Sequence, residues 1–161
     1  MMQGWSEFYL GQVGASAALG GLVFVGLSIN LAKIMASPHL PDRAMVALVL
    51  LLSVLLVASL ALAPGQRPSA FGAEALGVGL AAWAGVSWLH ARTMRKVEPE
   101  FRAAAITGVL LGQACAILLW AGGAQLMAGM VAGAYVLGTG VLLIYVLVFI
   151  HAWVLLVEIN R

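Results

Sequence analysis

Charged residues are scarce in this sequence. They make up 9% of its 161 residues, whereas about a quarter of the residues in a soluble domain are charged. A chain with so few charges cannot cover a water-facing surface, which excludes a soluble globular fold. No Asp, Glu, Lys or Arg occurs in residues 8–32, 44–66 or 103–157. Since a helix needs about 20 apolar residues to cross a bilayer, each of these stretches is long enough to span one.

Other absences narrow the possible functions. The sequence has no Lys/Arg-rich block of the kind that binds nucleic acid, and its single cysteine, Cys115, excludes an intrachain disulfide. It contains no nucleophile elbow, phosphate loop or H-E-x-x-H zinc motif. Its histidines, His39, His90 and His151, do not share a helix face at ligand spacing, and we expect them at the membrane interface. We therefore predict neither an enzyme nor a cofactor or metal site.

The apolar segments predict an all-α, polytopic transmembrane helix bundle of about five spans in a single domain. The uncharged stretch of 55 residues would form a helix of roughly 80 Å, against a hydrocarbon core of about 30 Å, so it must fold back as a hairpin. Proline and glycine mark the connections, and glycines alone mark the fourth turn. The predicted helices cover residues 7–34, 42–63, 69–95, 100–124 and 130–159.

The basic residues are divided unequally between the two sides of such a bundle. With five spans, Arg67 is alone on the side of the N-terminus and seven basic residues lie on the other side. These seven are Lys33, Arg43, Arg92, Arg95, Lys96, Arg102 and Arg161. Because cytoplasmic loops are enriched in Lys and Arg, we predict an outside N-terminus and an inside C-terminus.

Small residues form stripes on three of the predicted spans, and close helix packing in lipid depends on such residues. The stripes consist of Gly14 and Ala18 in the first span; Ala73, Gly77, Ala81 and Gly85 in the third; and Ala104, Gly108, Gly112 and Ala116 in the fourth. The second span is almost entirely Leu and Val. We expect the first, third and fourth spans to form the packed centre and the second to face lipid. Whether the stripes pack within one chain or between copies stays open, and we expect a homo-oligomer.

Polar side chains within the spans are few, and they are the candidate functional groups. They are Gln12, Ser16 and Asn30 in the first span, Glu74 in the third and Gln113 in the fourth. Polar groups in lipid are costly, and they either pair between helices or mark a path for a solute. For Gln113 the alternatives are an interhelical hydrogen bond and a pore-lining role. For Glu74 they are an interfacial acid that reaches Arg67 or the headgroups, and an acidic group at the outer mouth of a pore.

The opening segment combines Phe8, Tyr9, a run of small residues and the sequence GLVFVGLSINLAKIM at residues 21–35. In these residues the first span resembles small bacterial membrane proteins of unassigned function, some of which are labelled modulators of a membrane-bound AAA protease. The resemblance implies a place in the bacterial inner membrane and a membrane protein as a possible partner. The small number of polar residues in the predicted spans favours an oligomeric scaffold or regulator of a membrane partner that works through helix association. The alternative is a subunit of an oligomeric ion channel or transporter, whose pore needs a continuous polar lining.

Overall fold

The structure, a computed structural model, describes residues 4–37 and 40–156. These residues form helices and turns, with no strand among them. The helices are α1 (Ser6–Ile29), α2 (Leu31–Ala36), α3 (Leu40–Ala61), α4 (Pro68–Lys96), α5 (Arg102–Met127) and α6 (Ala132–Leu156), and a single 3₁₀ turn, Pro99–Phe101, precedes α5. All of them except α2 are long and apolar enough to cross a membrane. The prediction of an all-α bundle with five spans is confirmed.

The ends of α4 follow from its sequence. The helix begins at Pro68, whose missing N–H is not needed in the first turn of a helix. It ends with Arg95 and Lys96, whose positive charges suit the negative end of the helix dipole. The turn before it contains Gly65 at φ +69°, a left-handed conformation that glycine adopts at little cost.

The turn between α5 and α6 is a Schellman motif. It gives the position of the fourth connection, which no charged residue marks. Gly129 adopts φ +79°, and its N–H donates to the carbonyl of Leu126 at 2.9 Å. The N–H of Met130 donates to the carbonyl of Gln125 at 2.8 Å. These two bonds satisfy carbonyls that the end of α5 would otherwise leave free. The fourth connection therefore occupies residues 128–131.

Four of the helices form a ring, and α3 and α6 are its most buried members. In this ring α3 packs against α4, α4 against α5, α5 against α6, and α6 against α3, while α1 lies outside against α3 and α6. Half of the most apolar segment of α3 is buried, compared with 17% for α1. The expectation that the second span faces lipid is therefore wrong, as is the central place expected for the first. Large side chains such as Leu50, Val54 and Val57 fill the space between four helices, whereas small residues are needed only where two backbones meet.

Glycine brings the backbones of α4 and α5 into contact. A Cβ atom at Gly79 would lie 2.5 Å from the backbone nitrogen of Trp120. A Cβ at Gly72 would collide with the backbone nitrogen of Met127, and one at Gly123 with that of Leu76. Any side chain at these positions would force the helices apart, so this contact depends on the missing Cβ atoms.

A second backbone contact of this kind joins α5 to α6. A Cβ at Gly133 would lie 2.5 Å from the carbonyl oxygen of Gly122, and a Cβ at Gly122 would lie 2.8 Å from the backbone nitrogen of Leu137. The helices α4, α5 and α6 are thus joined by glycine contacts, while α3 is held by the packing of large aliphatic side chains.

Candidate functional site

Most of the predicted stripe of α4 lies outside the packed part of the described bundle. Ala73, Gly77 and Ala81 are exposed on the outside of the bundle, and nothing lies within 4 Å of a Cβ built at Gly77. Gly85 is half-buried, and its added Cβ would make an ordinary contact with Val49 on α3. The face of α4 that is buried lies next to the predicted one; it carries Gly72, Ala75, Gly79, Ala82 and Val86.

The predicted stripe of α5 is divided between a packed part and an open part. Gly112 and Ala116 are buried, and a Cβ at Gly112 would lie 2.6 Å from Cε1 of His90 on α4. Gly108, one turn away, has no atom within 4 Å of an added Cβ. The Gly112 end of this stripe therefore contacts another of the described helices, and Gly108 does not.

The polar residues of the first span bind backbone atoms. The hydroxyl of Ser16 donates to the carbonyl oxygen of Gln12 at 2.7 Å, and the hydroxyl of Tyr145 on α6 donates to the same oxygen at 3.1 Å. Asn30 is buried at the break between α1 and α2, and its Nδ2 donates to the carbonyl of Gly26 at 3.3 Å. The backbone carbonyl of Gln12 thus joins α1 to α6, the Ser16 hydroxyl bonds within α1, and Asn30 separates α1 from α2.

Glu74 lies at the opposite end of the bundle from Lys96, on the exposed side of α4. Its carboxylate accepts a hydrogen bond from Nε2 of Gln66, in the connection between α3 and α4. Among the ion pairs of the described residues there is none between Glu74 and Arg67. The carboxylate therefore sits at the rim of the bundle, outside its core.

The densest group of polar side chains lies at the other end, which we call the basic end. It is formed by the start of α3, the end of α4, the start of α5 and the end of α6. Here the buried carboxylate of Asp42 lies 2.8 Å from Nζ of Lys96 and 3.4 Å from Nη2 of Arg92. The guanidinium of Arg92 also stacks over Trp88, 4.7 Å from the ring centre. This ion pair ties the start of α3 to the end of α4.

Gln113 forms a polar link between α4 and α5, near the middle of α5. Its Nε2 donates to the hydroxyl of Ser87 at 3.0 Å and lies 3.5 Å from Nδ1 of His90. The hydroxyl of Ser87 lies 3.3 Å from Oε1 of Gln113. The interhelical hydrogen bond considered for Gln113 is thus present in the structure.

Two of the three histidines are buried within the bundle. His90 and His151 are 8% and 4% exposed, respectively, because each continues the buried face of its helix. On α6 that face runs through Ile144, Val148, His151 and Leu155, so the helical spacing of these apolar residues is a signal that would have found His151. The depth of His90 and His151 at the membrane interface stays a prediction. The third histidine, His39, lies outside the described residues, as do Glu158 and Arg161.

His151 lies near the end of α6, at the same end of the bundle as His90. Nδ1 of His151 and Nε of Arg43 are both buried, and the described residues supply neither with a hydrogen-bond partner. Arg43, His90 and His151 thus place a polar residue of α3, α4 and α6 near the basic end. Within the described residues, no group of three or more His, Cys, Asp or Glu side chains could hold a metal ion.

The five long apolar helices define a multi-pass membrane protein, and the charged side chains of its described residues lie near the two ends of the bundle. The chain matches no protein-family model, and no curated protein or solved structure is significantly similar to it. Its function is therefore inferred from its own residues.

Proposed function

We propose that the protein is a small membrane scaffold or regulator that associates with a second copy of itself through the exposed small-residue face of α4. This face, the α4 outer face, consists of Ala73, Gly77 and Ala81. The observation that carries the proposal is that these small residues lie outside the bundle, while the neighbouring face of the same helix already makes the contact with α5. In lipid, such residues favour the close approach of another helix.

A groove beside the α4 outer face supports the proposal. It lies between α3 and α4, has a volume of about 360 Å³ and is open to the outside of the bundle. Its walls are apolar side chains and its α4 side includes Gly77 and Ala81; the lining residues are Val49, Leu52, Ser53, Leu56, Gly77, Val78, Ala81 and Ala82. A partner helix that packed on Gly77 could place its own side chains in this groove.

The filled core of the bundle favours a scaffold over a channel within one chain. A pore needs polar groups along a continuous path, whereas the middle of this bundle is closed by large side chains. Those that are fully buried include Leu50, Val54, Val57, Leu119, Leu137, Val141 and Ile144. The polar side chains inside the described helices are few and scattered, and several bond locally or in pairs: Ser16 to the Gln12 carbonyl, Ser53 to the Val49 carbonyl and Gln113 to Ser87.

Cysteine cross-linking tests the proposed contact in native membranes, and Cys115 is buried and gives little background. Ala81→Cys should form disulfide-linked dimers on mild oxidation. Ala17→Cys is the matched control because Ala17 is also exposed and lies near the middle of α1. Cross-linking of Ala81→Cys that does not exceed that of Ala17→Cys would show that the α4 outer face contacts lipid.

A bulky substitution on the same face separates assembly from folding. Gly77→Leu should leave the folded chain intact, since nothing lies within 4 Å of the added Cβ, but it should weaken the dimer in analytical ultracentrifugation. Gly14→Leu on α1, which also has open space, should leave the dimer unchanged. Equal dimerisation of the two variants and wild type would contradict the proposed interface.

The alternative function is a channel formed between several copies of the chain. The observation that favours a channel is the exposure of Glu74 near the α4 outer face. Several copies that met on this face would bring their carboxylates toward a common axis. Reconstituted wild-type protein should then conduct cations in a planar bilayer, and Glu74→Gln should change the ion selectivity. An absence of current, or a current with unchanged selectivity in the variant, would remove Glu74 from the function.

The resemblance of the first span points to one class of membrane partner for such a scaffold. If the chain acts like the modulators of a membrane-bound AAA protease, the protease should co-purify with tagged protein from mild detergent. Gly77→Leu should reduce this co-purification if the partner binds the dimer. Retention of the protease by the monomeric variant would separate partner binding from self-association.

A further inference from the structure

The seam between α3 and α4 holds an ion pair at the basic end and the apolar groove further along. Asp42 on α3 lies 2.8 Å from Nζ of Lys96 and 3.4 Å from Nη2 of Arg92, both on α4. The groove of about 360 Å³ is bounded by the same two helices, and the lining residues nearest the ion pair are Val49 and Ala82. Since Val49 follows Asp42 by seven residues, roughly 10 Å of helix separates the groove from the ion pair.

Both helices keep one face toward the seam between the groove and the ion pair. On α4, Ala81 and Arg92 are eleven residues apart, which is close to three full helical turns, so they lie on the same face. On α3, the exposed Met45 lies between Asp42 and Val49 at spacings of three and four residues, which also share a helix face. The groove and the ion pair therefore belong to one continuous strip on the outside of the bundle.

The charged end of this strip is complementary to an anion. Arg92 and Lys96 share the carboxylate of Asp42, so two positive charges face one negative charge. The side chains of Arg92 and Lys96 are 43% and 36% exposed, so the N–H donors that do not face Asp42 can reach a group outside the bundle. The exposed charges nearby balance one another, since two are acidic and two are basic: Glu98, Glu100, Arg95 and Arg102.

A tryptophan lies beneath the guanidinium at this end of the strip. Trp88 precedes Arg92 by one turn, is 59% exposed, and has its ring centre 4.7 Å from the guanidinium carbon. Tryptophan is enriched where the hydrocarbon core meets the lipid headgroups. The positive end of the strip is therefore suited to an anion at the depth of the headgroups, and the groove lies on the hydrocarbon side of it.

We propose that an anionic phospholipid binds along this strip, with its phosphate on Arg92 and Lys96 and one acyl chain in the groove. A guanidinium and an ammonium group bind phosphate oxygens through charge-assisted hydrogen bonds. An acyl chain extends roughly 15 Å, half of the hydrocarbon core, which covers the distance to Val49. The groove volume lies within the range of about 300–1,000 Å³ that is usual for small-molecule sites. The lipid binds a single chain, so the proposal does not rest on self-association; a partner helix that filled the groove would displace the acyl chain.

Native mass spectrometry of the delipidated protein in detergent tests the proposal with three probes. Dipalmitoylphosphatidylglycerol has both the phosphate and long chains, dipalmitoylglycerol lacks the phosphate, and dihexanoylphosphatidylglycerol lacks the long chains. The first should bind about tenfold or more tightly than either of the others, as expected when charge-assisted hydrogen bonds and chain contacts both contribute. Equal binding of dipalmitoylglycerol would overturn the phosphate contact, and equal binding of dihexanoylphosphatidylglycerol would overturn the place of the chain in the groove.

Substitution of Arg92 locates the phosphate. Arg92→Gln should weaken the binding of dipalmitoylphosphatidylglycerol by about tenfold, as for the loss of a charge-assisted hydrogen bond. Arg102→Gln is the matched control, since Arg102 is exposed at the same end, and it should change the affinity by less than about twofold, as for a solvent-screened charge. Lys96→Gln leaves Arg92 beside Asp42, and it takes the place of Arg92→Gln if that variant does not fold. Equal losses in the variant and the control would show a general attraction to the basic end and would overturn the site.

Substitution of Gly77 locates the acyl chain. Gly77 lines the groove, and nothing lies within 4 Å of a Cβ built there, so Gly77→Leu should fold and narrow the groove. It should weaken lipid binding by about threefold or more, since a chain in a groove gains mainly dispersion contacts. Gly14→Leu on α1, which also has open space, should bind like wild type. Binding is read from the mass of the single chain, so a weakened dimer does not affect the comparison. Equal affinities of the two variants would overturn the place of the acyl chain in the groove.

Discussion

The contact between α4 and α5 leads to a quantitative prediction about two neighbouring glycines. A Cβ at Gly79 would lie 2.5 Å from the backbone nitrogen of Trp120 and 2.7 Å from its Cα, whereas a Cβ at Gly77 would meet nothing within 4 Å. Ordinary contacts of a Cβ begin at 3.4 Å. Gly79→Ala must therefore push the two helices apart by about 1 Å, and a gap of that size removes roughly half of the dispersion energy between the atoms that face it.

The size of the effect follows from the atoms that obstruct the new methyl group. Overpacking typically costs about 1–3 kcal/mol. Here the obstructing atoms belong to the backbone and cannot rotate away, so we expect a cost of about 2–3 kcal/mol. Both substitutions gain helix propensity, which is worth at most about 1 kcal/mol in each variant. This gain cancels in the comparison, so the difference between Gly79→Ala and Gly77→Ala measures the packing cost alone.

Unfolding in mixed micelles with increasing dodecyl sulfate, followed by far-UV circular dichroism, measures the free energy of unfolding of each variant. Gly79→Ala should unfold at a lower detergent fraction than wild type, and Gly77→Ala at the same or a higher fraction. Wild-type stability in both variants, or a larger loss in Gly77→Ala, would refute the backbone contact between α4 and α5.

The other predictions concern the topology, the second small-residue stripe and the buried ion pair. Reporter fusions at the two termini should place the N-terminus outside and the C-terminus inside, because seven of the eight basic residues lie on the side of the C-terminus; two termini on one side would contradict this. Gly112→Leu should lower thermal stability by about 1–3 kcal/mol because its side chain displaces His90, whereas Gly108→Leu has open space and should unfold like wild type. Equal losses would show that His90 is not packed against Gly112. Asp42→Asn should cost about 1–3 kcal/mol in chemical unfolding, since it removes the counter-charge of Lys96 from a buried position; an unchanged midpoint would show that the ion pair contributes no stability.

The positions of the helices could be predicted from sequence because they depend on local properties. The uncharged stretches have the length of a membrane span, and residues such as Pro68 and Gly65 mark the connections. The fourth turn was harder to place, since no charge marks it. Its position depends on Gly129, and several glycines nearby could have adopted the same left-handed conformation.

The faces that pack could not be predicted, because small residues occur on more than one face of α4. Ala73, Gly77 and Ala81 form one regular stripe, while Gly72 and Gly79 belong to another. Periodicity does not distinguish a face that meets a helix from one that meets lipid or a second copy. Which face of α4 packs depends on the residues of α5 that it meets. The sequence of α4 alone does not contain this information.

The burial of His90 could not be predicted from its neighbours for a related reason. His90 lies two residues from the exposed Arg92. The two side chains point in different directions on the helix, so Arg92 reaches Trp88 at the surface while His90 is buried against Gly112. Depth along a helix axis does not determine burial, which depends on the direction around that axis.

The short, uncharged turn at residues 128–131 also has a consequence for how the chain enters the bilayer during synthesis. The stretch without a charged residue is 55 residues long, so no polar loop separates α5 from α6 and holds the first in place while the second emerges. The glycine contact between Gly122 and Gly133 lets the two helices pair closely as soon as both have formed. We therefore expect α5 and α6 to enter the bilayer as a hairpin, and a truncation within α6 should leave Gly122 of α5 without the helix against which it packs.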